Sequence, residues 1–505
     1  MGAVSADTPP VDLPHEVPAE HAVEHDTPKE ACGVFGVFAP GANVSHLTFD
    51  GLYALQHRGQ ESAGMAVSDG DEVMVVKDMG LVTNVFNEYK LAGLQGHLAI
   101  GHTRYSTTGA STWHNAQPVY RTAPAAPDAG RPEPVIFALG HNGNLTNTEV
   151  LAAEAGMLPG LVTSDSDVIA ELLVRHLLVH PVDDLEASLL AVLPSLEGAF
   201  SLVLLDNHHL MGVRDPHGFR PLCLGALDEG LVLASESPAL DVTGARFVRE
   251  LDPGELVVID GGGARSERPW PEERIDPKLC IFEFVYLARP DSRLYGQEVH
   301  SARIRMGELL AERAPVDADM VMGVPDSGLP ASEGYARRSG IPYGQGLVKN
   351  RYIGRTFIQP DPAHRAQGVR RKLNPLREAI AGRRLVVVDD SIVRGTTTRA
   401  MVRMLREAGA AEVHLRISSP PYRWPCYYGL DTGTRDELIA AALDVGEIRD
   451  FLGADSLAYL GLEALKKATG VPTAGFCDAC LTGDYPAAAP AVPVVLRRQA
   501  AASVG

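Results

Sequence analysis

The amino-acid sequence predicts two domains, an α+β domain followed by an α/β domain with a parallel sheet. One reason is length, because 505 residues exceed a single ordinary hydrophobic core. Another is a stretch at 260–278 that is rich in glycine, proline and charge and has no apolar period. Across this stretch, short β-rich segments give way to alternating strands and helices. We therefore predict domains at 32–262 and 263–485, with a leader at 1–31 and a flexible tail at 486–505.

The individual segments support this division. In the first half, "GAFSLVLLD" and "LVLASES" predict strands, and "SDVIAELLVRHLLVH" predicts a helix. In the second half, "ADMVMGV", "RRLVVVDD" and "EVHLRIS" predict strands, and "LPASEGYARRSG" predicts a helix that ends at glycine. Strands that alternate with helices indicate a parallel sheet with right-handed crossovers. Ligands of such sheets bind at the carboxyl ends of the strands.

Composition narrows the possible functions. The net charge of −19 argues against a nucleic-acid partner, and no apolar run reaches the ~18 residues of a membrane span. Six cysteines in 505 residues give no disulfide scaffold, which favours a reducing, cytoplasmic location. Basic residues nevertheless concentrate between 348 and 375, in "VKNRYIGRTF" and "HRAQGVRRKLNP". A local basic patch in an acidic protein predicts a small polyanionic ligand.

The segment "LVVVDDSIVRGTTT" carries the strongest binding signal of the second half. Its apolar strand ends at Asp389 and Asp390, and a turn then opens a helix. Backbone N–H groups at a helix start bind phosphate, and the carboxylates suit ribose hydroxyls and hydrated Mg²⁺. The residues that form the turn and the first helical position are Ser391, Arg394, Gly395, Thr396 and Thr397. The segment resembles the 5-phosphoribosyl-1-pyrophosphate (PRPP) motif of type I phosphoribosyltransferases.

That resemblance implies further PRPP contacts. Ser327 in "GVPDSG" is expected to join Asp389 and Asp390 as a ligand of one Mg²⁺ per subunit. The segment "KNRYIGRTFIQP" is similar to the mobile loop that closes over PRPP, with Lys349 and Arg355 offsetting the pyrophosphate charge. A solvated basic surface is the alternative for this loop.

Cys32 in "KEACGVFGVF" follows a leader with seven acidic residues and one lysine, which is not a signal peptide. A thiol needs a base to become a nucleophile, and no Cys-His-Asn signature surrounds this one. An N-terminal cysteine has its own α-amine, with a usual pKa near ~8, as the base. We therefore predict cleavage between Ala31 and Cys32. A buried structural cysteine is the alternative.

Further motifs follow Cys32 in order: "LQHRGQESAG", "GHTRYSTTG", "GHNGNLTN" and "TSDSD". Together with "CGVFG" they resemble the class II glutamine amidotransferase domain, which has the N-terminal-nucleophile hydrolase (αββα) fold. The resemblance implies that Arg104 binds the glutamine α-carboxylate and Asp165 its α-amino group. It also implies an oxyanion hole formed by Asn142 and Gly143. These chemical roles suit a guanidinium fork and paired hydrogen-bond donors.

Two cysteines at C-x₂-C spacing, Cys477 and Cys480, indicate zinc, an iron–sulfur cluster or a redox pair. Spacing does not choose among these. "CIFEFVYLARPDS", "CYYGLD" and "FCDACLTGDYP" resemble the iron–sulfur class of amidophosphoribosyltransferases. The resemblance adds Cys280 and Cys426 and implies one [4Fe–4S] cluster per subunit.

The combined resemblance covers roughly residues 32–485. It implies that glutamine, PRPP and water give 5-phosphoribosylamine, glutamate and pyrophosphate, the first committed step of de novo purine synthesis. It also implies a homotetramer and feedback inhibition by purine nucleotides. The alternatives are another class II amidotransferase, such as a glucosamine-phosphate synthase, and a non-enzymatic PRPP-sensing regulator.

Overall fold

The computed structural model describes residues 31–105, 111–158, 162–350, 372–430, 432, 434–472 and 475–489. The predicted leader lies outside the described residues apart from Ala31, and so do the end of the tail and residues 351–371. Within the described ranges, no helix is both long and apolar enough to cross a membrane.

The first domain contains two antiparallel sheets. Its strands are β1 (Gly33–Phe38), β2 (Ser62–Ser68), β3 (Val73–Met79), β4 (Leu98–Arg104), β5 (Val119–Ala123), β6 (Val135–Leu145), β7 (Gly198–Leu205), β8 (Leu210–Arg214), β9 (Cys223–Leu227), β10 (Gly230–Ala234), β11 (Arg246–Glu250), β12 (Leu256–Asp260) and β13 (Gly263–Glu267). Its helices are α1 (Val44–Ala54), α2 (Val82–Val85), α3 (Glu88–Gly93), α4 (Thr148–Glu154), α5 (Asp165–Val179), α6 (Leu185–Val192) and α7 (Ser237–Thr243).

The two sheets pack face to face and are covered by helices on their outer sides. Their strand orders are β11-β9-β10-β1-β4-β2-β3 and β13-β12-β8-β7-β6-β5. Val34, Ile100 and Val203 share the apolar layer between the sheets. Because side chains alternate along a strand, Phe35 faces the other way and packs with Leu52 of α1. The arrangement is the predicted αββα sandwich.

The end of the first domain differs in detail from the glycine-rich linker that the sequence suggests. Strand β13 pairs with β12 in a hairpin, with Asp260 opposite Gly263 and Leu256 opposite Glu267. Trp270 is buried in the core of the same domain. The boundary that we predict after residue 262 therefore falls in the turn of a hairpin, because an exposed strand with a polar sequence lacks the alternating pattern of a half-buried one.

The second domain centres on a parallel sheet. Its strands are β14 (Leu279–Cys280), β15 (Arg293–Leu294), β16 (Gln297–Glu298), β17 (Met320–Gly323), β18 (Leu347–Lys349), β19 (Leu373–Pro375), β20 (Arg384–Asp389), β21 (Glu412–Ile417), β22 (Ser456–Tyr459) and β23 (Phe476–Cys477). Its α-helices are α8 (Val299–Arg313), α9 (Gly328–Ser339), α10 (Arg377–Ile380), α11 (Thr396–Glu407), α12 (Ile439–Ala442), α13 (Val445–Leu452), α14 (Leu462–Thr469) and α15 (Ala479–Thr482).

Strands β17, β20, β21 and β22 are neighbours in that order and all run parallel. Val386 and Val388 of β20 face the core that contains α8 and α9, whereas Leu385 and Val387 face the opposite core with α11. A central strand that is buried on both faces needs the continuous apolar run seen in the sequence. The carboxyl end of β20 delivers Asp389 to the edge where ligands of such sheets bind.

A buried chain of charges joins the two domains. Arg58 contacts Glu236 of its own domain, and its Nη2 donates to Glu283 Oε2 of the second domain at 2.6 Å. Arg220 approaches the same Glu283 carboxylate, with Nη1 3.4 Å from Oε1. All four side chains are buried. Removing one partner of such a set leaves an uncompensated buried charge, so the contacts fix how the domains meet.

Candidate functional site

The thiol of Cys32 lies at the start of β1, with little solvent access. Its Sγ is 3.3 Å from the Tyr105 carbonyl oxygen, to which the thiol donates, and 3.5 Å from the Tyr105 N–H. Burial raises the pKa of this thiol to about 11, although the nearby Arg104 charge opposes the shift. The thiol is therefore neutral near pH 7 while Cys32 is joined to Ala31, and it needs a base before it can attack.

A pocket opens directly onto this thiol. Residues just before β1, at the end of β4, before β5, in β6 and at the start of α5 line it: Cys32, Arg104, Tyr105, Gln117, His141, Gly143, Ser164, Asp165 and Ser166. Three of the residues that the sequence places in a glutamine site, Arg104, Gly143 and Asp165, therefore meet beside Cys32. A guanidinium and a carboxylate on the walls of one small pocket suit a ligand that carries both charges, such as an α-amino acid.

The Asp165 carboxylate is held as an anion. It is the first residue of α5, where Oδ2 accepts the Leu145 N–H at 3.0 Å and Oδ1 accepts the Ser166 N–H at 2.8 Å. Burial alone favours the neutral acid. His141 and these two N–H groups outweigh it and hold the pKa of Asp165 below its usual value. An ionised acceptor in this position is ready to bind an ammonium group.

The surroundings of the Asn142 side chain indicate that it binds a ligand. Its side chain is fully buried in strand β6, yet neither Oδ1 nor Nδ2 has a hydrogen-bond partner among the described residues. A buried amide without partners is costly and is expected where a ligand completes it. At Gly143, a Cβ atom would lie 2.0 Å from the Ala199 carbonyl oxygen, so only glycine fits there.

His141 and Gln117 are site residues that the sequence reasoning missed. His141 Nδ1 lies 3.2 Å from Ser166 Oγ and 3.6 Å from Asp165 Oδ1. Gln117 Oε1 accepts the His141 backbone N–H at 2.7 Å, and its amide donates to Ser166 Oγ at 3.0 Å. These hydrogen bonds hold His141 and Ser166 in place beside the Asp165 carboxylate, which orients that carboxylate. His141 is adjacent to Asn142 in "GHNGN", which is a signal, whereas Gln117 stands in no motif.

A second candidate site lies at the carboxyl end of β20. Asp390 is buried, and its carboxylate accepts hydrogen bonds from Ser327 and from Ser391, the latter at 2.5 Å. Burial raises the pKa of Asp390, against the lowering effect of both serines and of Arg303. Asp389 Oδ1 accepts the Asp390 N–H at 2.9 Å. The structure thus brings together the three predicted Mg²⁺ ligands.

The predicted phosphate loop has the expected geometry. Gly395 has φ +76°, a left-handed conformation that suits glycine, and α11 begins directly after it at Thr396. Arg394 Nη2 donates to Glu437 Oε2 at 2.5 Å. The loop residues Ser391, Thr396 and Thr397 flank the turn. Backbone N–H groups at a helix start suit a phosphate group.

Part of the predicted basic loop is described. Lys349 ends β18, and its Nζ donates to Asp326 Oδ2 at 2.6 Å. Since Asp326 precedes Ser327, this contact places the start of the loop next to the buried carboxylates of the strand end. Arg355 lies outside the described residues.

The four cysteines assigned to a cluster, Cys280, Cys426, Cys477 and Cys480, form a quartet in the second domain. Cys280 in β14 stands opposite Cys477 in β23. Burial raises the pKa of Cys480 well above its usual range. The negative charge that the three other cysteines of the quartet can carry raises it further, because they lie close to Cys480. Nevertheless, no group of three or more His, Cys, Asp or Glu side chains within the described ranges is arranged to hold a single metal ion.

Comparison with known proteins identifies both halves. Residues 129–242 match the model of a glutamine amidotransferase domain, and residues 303–418 match that of a phosphoribosyl transferase domain. The fold and the two sites thus define an enzyme that joins a class II glutamine amidotransferase domain to a phosphoribosyltransferase domain.

Whole-chain relatives narrow this class. An amidophosphoribosyltransferase of Mycobacterium tuberculosis is 54% identical over 475 residues, which is 91% of this chain and 87% of the relative. One of Bacillus subtilis is 44% identical over 464 residues, 90% of this chain and 94% of the relative. A solved B. subtilis glutamine PRPP amidotransferase, in complex with ADP and GMP, has a TM-score of 0.82 at 43% identity and covers 90% of this chain and 98% of its own.

The chain belongs to the amidophosphoribosyltransferase family, whose activity is the first step of purine biosynthesis. The predicted fold and enzyme class are confirmed. The phosphoribosyl transferase domain sets aside a glucosamine-phosphate synthase, and the match to enzymes over 91% of the chain sets aside a non-enzymatic regulator.

Proposed function

We propose that Cys32 releases ammonia from glutamine and that the ammonia attacks C1 of PRPP at the Asp389–Asp390 end of β20. The main support for glutamine hydrolysis at Cys32 is the Asn142 side-chain amide, which lies next to the Cys32 pocket and has no hydrogen-bond partner among the described residues. An oxyanion that forms during attack on an amide needs hydrogen-bond donors already in position. Asn142 Nδ2 offers one, and the Gly143 N–H is assigned as the second.

In the glutamine half-reaction, the Cys32 α-amine accepts the thiol proton while Sγ bonds to the side-chain carbonyl carbon. The tetrahedral adduct collapses to a thioester as the C–N bond breaks, and the proton held by the amine leaves with the ammonia. Water then cleaves the thioester to glutamate and restores the thiol. Arg104 and Asp165 hold the glutamine backbone, which keeps the reacting carbon near Sγ.

In the second half-reaction, Asp389 and Asp390 position the ribose, and the 391–397 turn binds the 5-phosphate. Ser327, Asp389 and Asp390 fit a hydrated Mg²⁺ because they supply oxygen ligands at one strand end. When bound, Mg²⁺ neutralises charge on the departing pyrophosphate. Lys349 and Arg355 are proposed to add positive charge on the same side, as a loop that closes over PRPP and excludes water.

The amine-base assignment requires that the leader be removed. We expect intact-mass measurement of the purified active enzyme to show a chain that begins at Cys32, because only a free α-amine accepts the thiol proton. A chain that retains residues 1–31 should use ammonia normally but should not use glutamine. Its ammonia-dependent activity serves as the internal control. A glutamine-dependent enzyme that keeps its leader contradicts the assignment.

The cysteine quartet is proposed to bind one [4Fe–4S] cluster per subunit. The pKa values of Cys280, Cys477 and Cys480 are raised in part by other cysteines of the quartet, yet the described residues are not arranged around a single metal ion. Both observations fit a cluster in which each thiolate binds a different iron. Burial raises the pKa of Cys280 to about 12, so this group is a neutral thiol until a metal replaces the proton. A bound cluster would supply the positive charge that stabilises the thiolates.

Metal analysis tests this proposal. We expect about four iron and four sulfide per chain in protein purified without oxygen, because each of four thiolates holds one iron. Visible absorption recorded on the same sample gives an independent readout of the cluster. One zinc per chain with no sulfide would overturn the cluster in favour of a single-metal site.

Three further parts of the proposal concern regulation, oligomeric state and cellular location. Purine nucleotides are proposed to inhibit the enzyme, which the B. subtilis structure with ADP and GMP supports. A homotetramer and a cytoplasmic location are proposed from the family resemblance and from the low cysteine content. Sedimentation and fractionation measure these two properties directly.

A further inference from the structure

The cysteine quartet and the glutamine site belong to different domains, yet one short segment touches both. The segment Cys426–Gly429, here called the bridging segment, begins at a quartet cysteine and ends against strand β6. Asn144 Nδ2, two residues after Asn142, donates to the Tyr427 carbonyl oxygen at 3.0 Å. This hydrogen bond runs from the first domain to the second.

Gly429 makes the closest approach to the proposed oxyanion hole. It has φ +100°, and a Cβ atom placed on it would lie 3.1 Å from the Gly143 carbonyl carbon and 3.3 Å from Gly143 Cα. The backbones of Gly429 and Gly143 are therefore in direct contact. A side chain on Gly429 would push against Gly143, whose N–H is assigned to the oxyanion, and against Arg220, whose Nη2 would lie 3.1 Å from the added Cβ atom.

The bridging segment is itself held rigidly. Buried Arg220 donates from Nη2 to the Tyr428 carbonyl oxygen at 2.6 Å, and the Tyr428 ring stacks on Phe219 with ring centroids 4.4 Å apart. The Tyr428 N–H lies 3.3 Å from Cys426 Sγ, which accepts it. Tyr428, Cys477 and Ala199 of β7 share one buried cluster. Ala199 pairs with Asn144 across the β6–β7 ladder.

We propose that the bridging segment is a positioning element for glutamine hydrolysis, which fixes Gly143 and Asn144 so that the oxyanion donors keep their geometry. The segment touches neither substrate. It acts on strand β6 through the Asn144–Tyr427 hydrogen bond and the Gly143–Gly429 contact. This inference rests on the proposed oxyanion hole. It implies that the cysteine region supports the glutamine half-reaction and not only the fold of the second domain.

The test replaces Gly429 by alanine. Because the oxyanion forms only during the reaction, we expect kcat for glutamine hydrolysis to fall about 10-fold, since contacts of 3.1 and 3.3 Å force Gly143 to shift by a few tenths of an ångström. The KM for glutamine should stay within about two-fold, since Arg104 and Asp165 are untouched. Ammonia-dependent synthesis should also stay within about two-fold, because it bypasses the site.

Gly244→Ala is the matched control. Gly244 also has a left-handed φ of +76°, in the first domain, but a Cβ atom there meets nothing within 4 Å. The Gly244→Ala variant therefore has a similar backbone strain but no contact with Gly143, so its kcat should be unchanged. If Gly429→Ala and Gly244→Ala behave alike, the positioning role is wrong. If Gly429→Ala does not fold, Asn144→Ala decides: a kcat loss at constant KM supports the proposal, and wild-type kinetics overturn it.

Asn142→Ala separates this inference from the proposed function. A normal glutamine kcat in that variant means that the oxyanion assignment fails, and the positioning role fails with it. If Asn142→Ala lowers kcat but neither Gly429→Ala nor Asn144→Ala does, only the further inference is lost.

Discussion

Replacing Cys32 by alanine should abolish synthesis from glutamine while leaving synthesis from ammonia intact. We expect the glutamine-dependent rate to fall by at least about 10³-fold, because loss of a nucleophile removes the covalent pathway. The ammonia-dependent rate should stay within about two-fold of wild type. Pyrophosphate release, measured in parallel with glutamine and with ammonium salts at alkaline pH, gives both rates from one preparation.

The contrast follows from where the two groups lie. Cys32 directly precedes β1 of the first domain, whereas Asp390 follows β20 of the second, and the residues that line the Cys32 pocket all belong to the first domain. Alanine at position 32 removes only the thiol that contacts Tyr105, so the second site keeps its hydrogen bonds. Ammonia supplied from solution then replaces the missing half-reaction.

Cys223→Ala is the control for loss of a buried thiol. Cys223 lies in β9 of the same domain, and its thiol donates to the Ala234 carbonyl oxygen at 3.3 Å, away from the pocket. Both rates should remain within about two-fold. Equal loss of both activities in Cys32→Ala would show that one site serves both substrates, and the two-site scheme would have to be abandoned.

The sequence predicted the features that depend on local chemistry. The apolar run "LVVV" identified β20, because a strand buried on both faces needs apolar side chains at every position. The residues placed beside Cys32 were found because their motifs carry the chemistry that the site requires. Such residues stand in short segments where composition and order are both informative.

The features that the sequence did not predict depend on pairs far apart in the chain. Gln117 bonds to the His141 backbone from the segment before β5, and Asn144 reaches Tyr427 across 283 positions. Neither glutamine nor tyrosine is unusual in its own segment, so no local pattern marks the contact. Strand β13 was missed for a different reason, because an exposed edge strand need not alternate. Contacts between distant parts of the chain therefore decide the first two features, and the exposure of an edge strand decides the third.

Replacing Asp390 by asparagine should remove synthesis with glutamine and with ammonia alike. We expect both rates to fall about 10²-fold or more, comparable to the loss of one charge-stabilising group in a transition state. An amide keeps the shape of the side chain and still accepts from Ser327 or Ser391, so the fold should survive. Glutaminase activity measured without PRPP should be retained, because the first site is untouched.

The physical reason is the charge that only a carboxylate supplies. Burial raises the pKa of Asp390, and a bound cation would lower it again by stabilising the anion. Asparagine cannot ionise and therefore cannot respond to the cation. The apparent Mg²⁺ requirement should thus rise in the variant, and a titration of rate against Mg²⁺ concentration measures the change.

Asp319→Asn is the matched control at the opposite end of the sheet. Asp319 precedes β17, and its carboxylate pairs with Arg384 at the amino end of β20. Ligands of parallel sheets bind at the carboxyl ends, so this carboxylate should be irrelevant to PRPP. Both rates and the Mg²⁺ titration should match wild type. If Asp390→Asn instead behaves like Asp319→Asn, the phosphoribosyl site lies elsewhere in the second domain, because no neutral side chain can supply the missing anionic ligand.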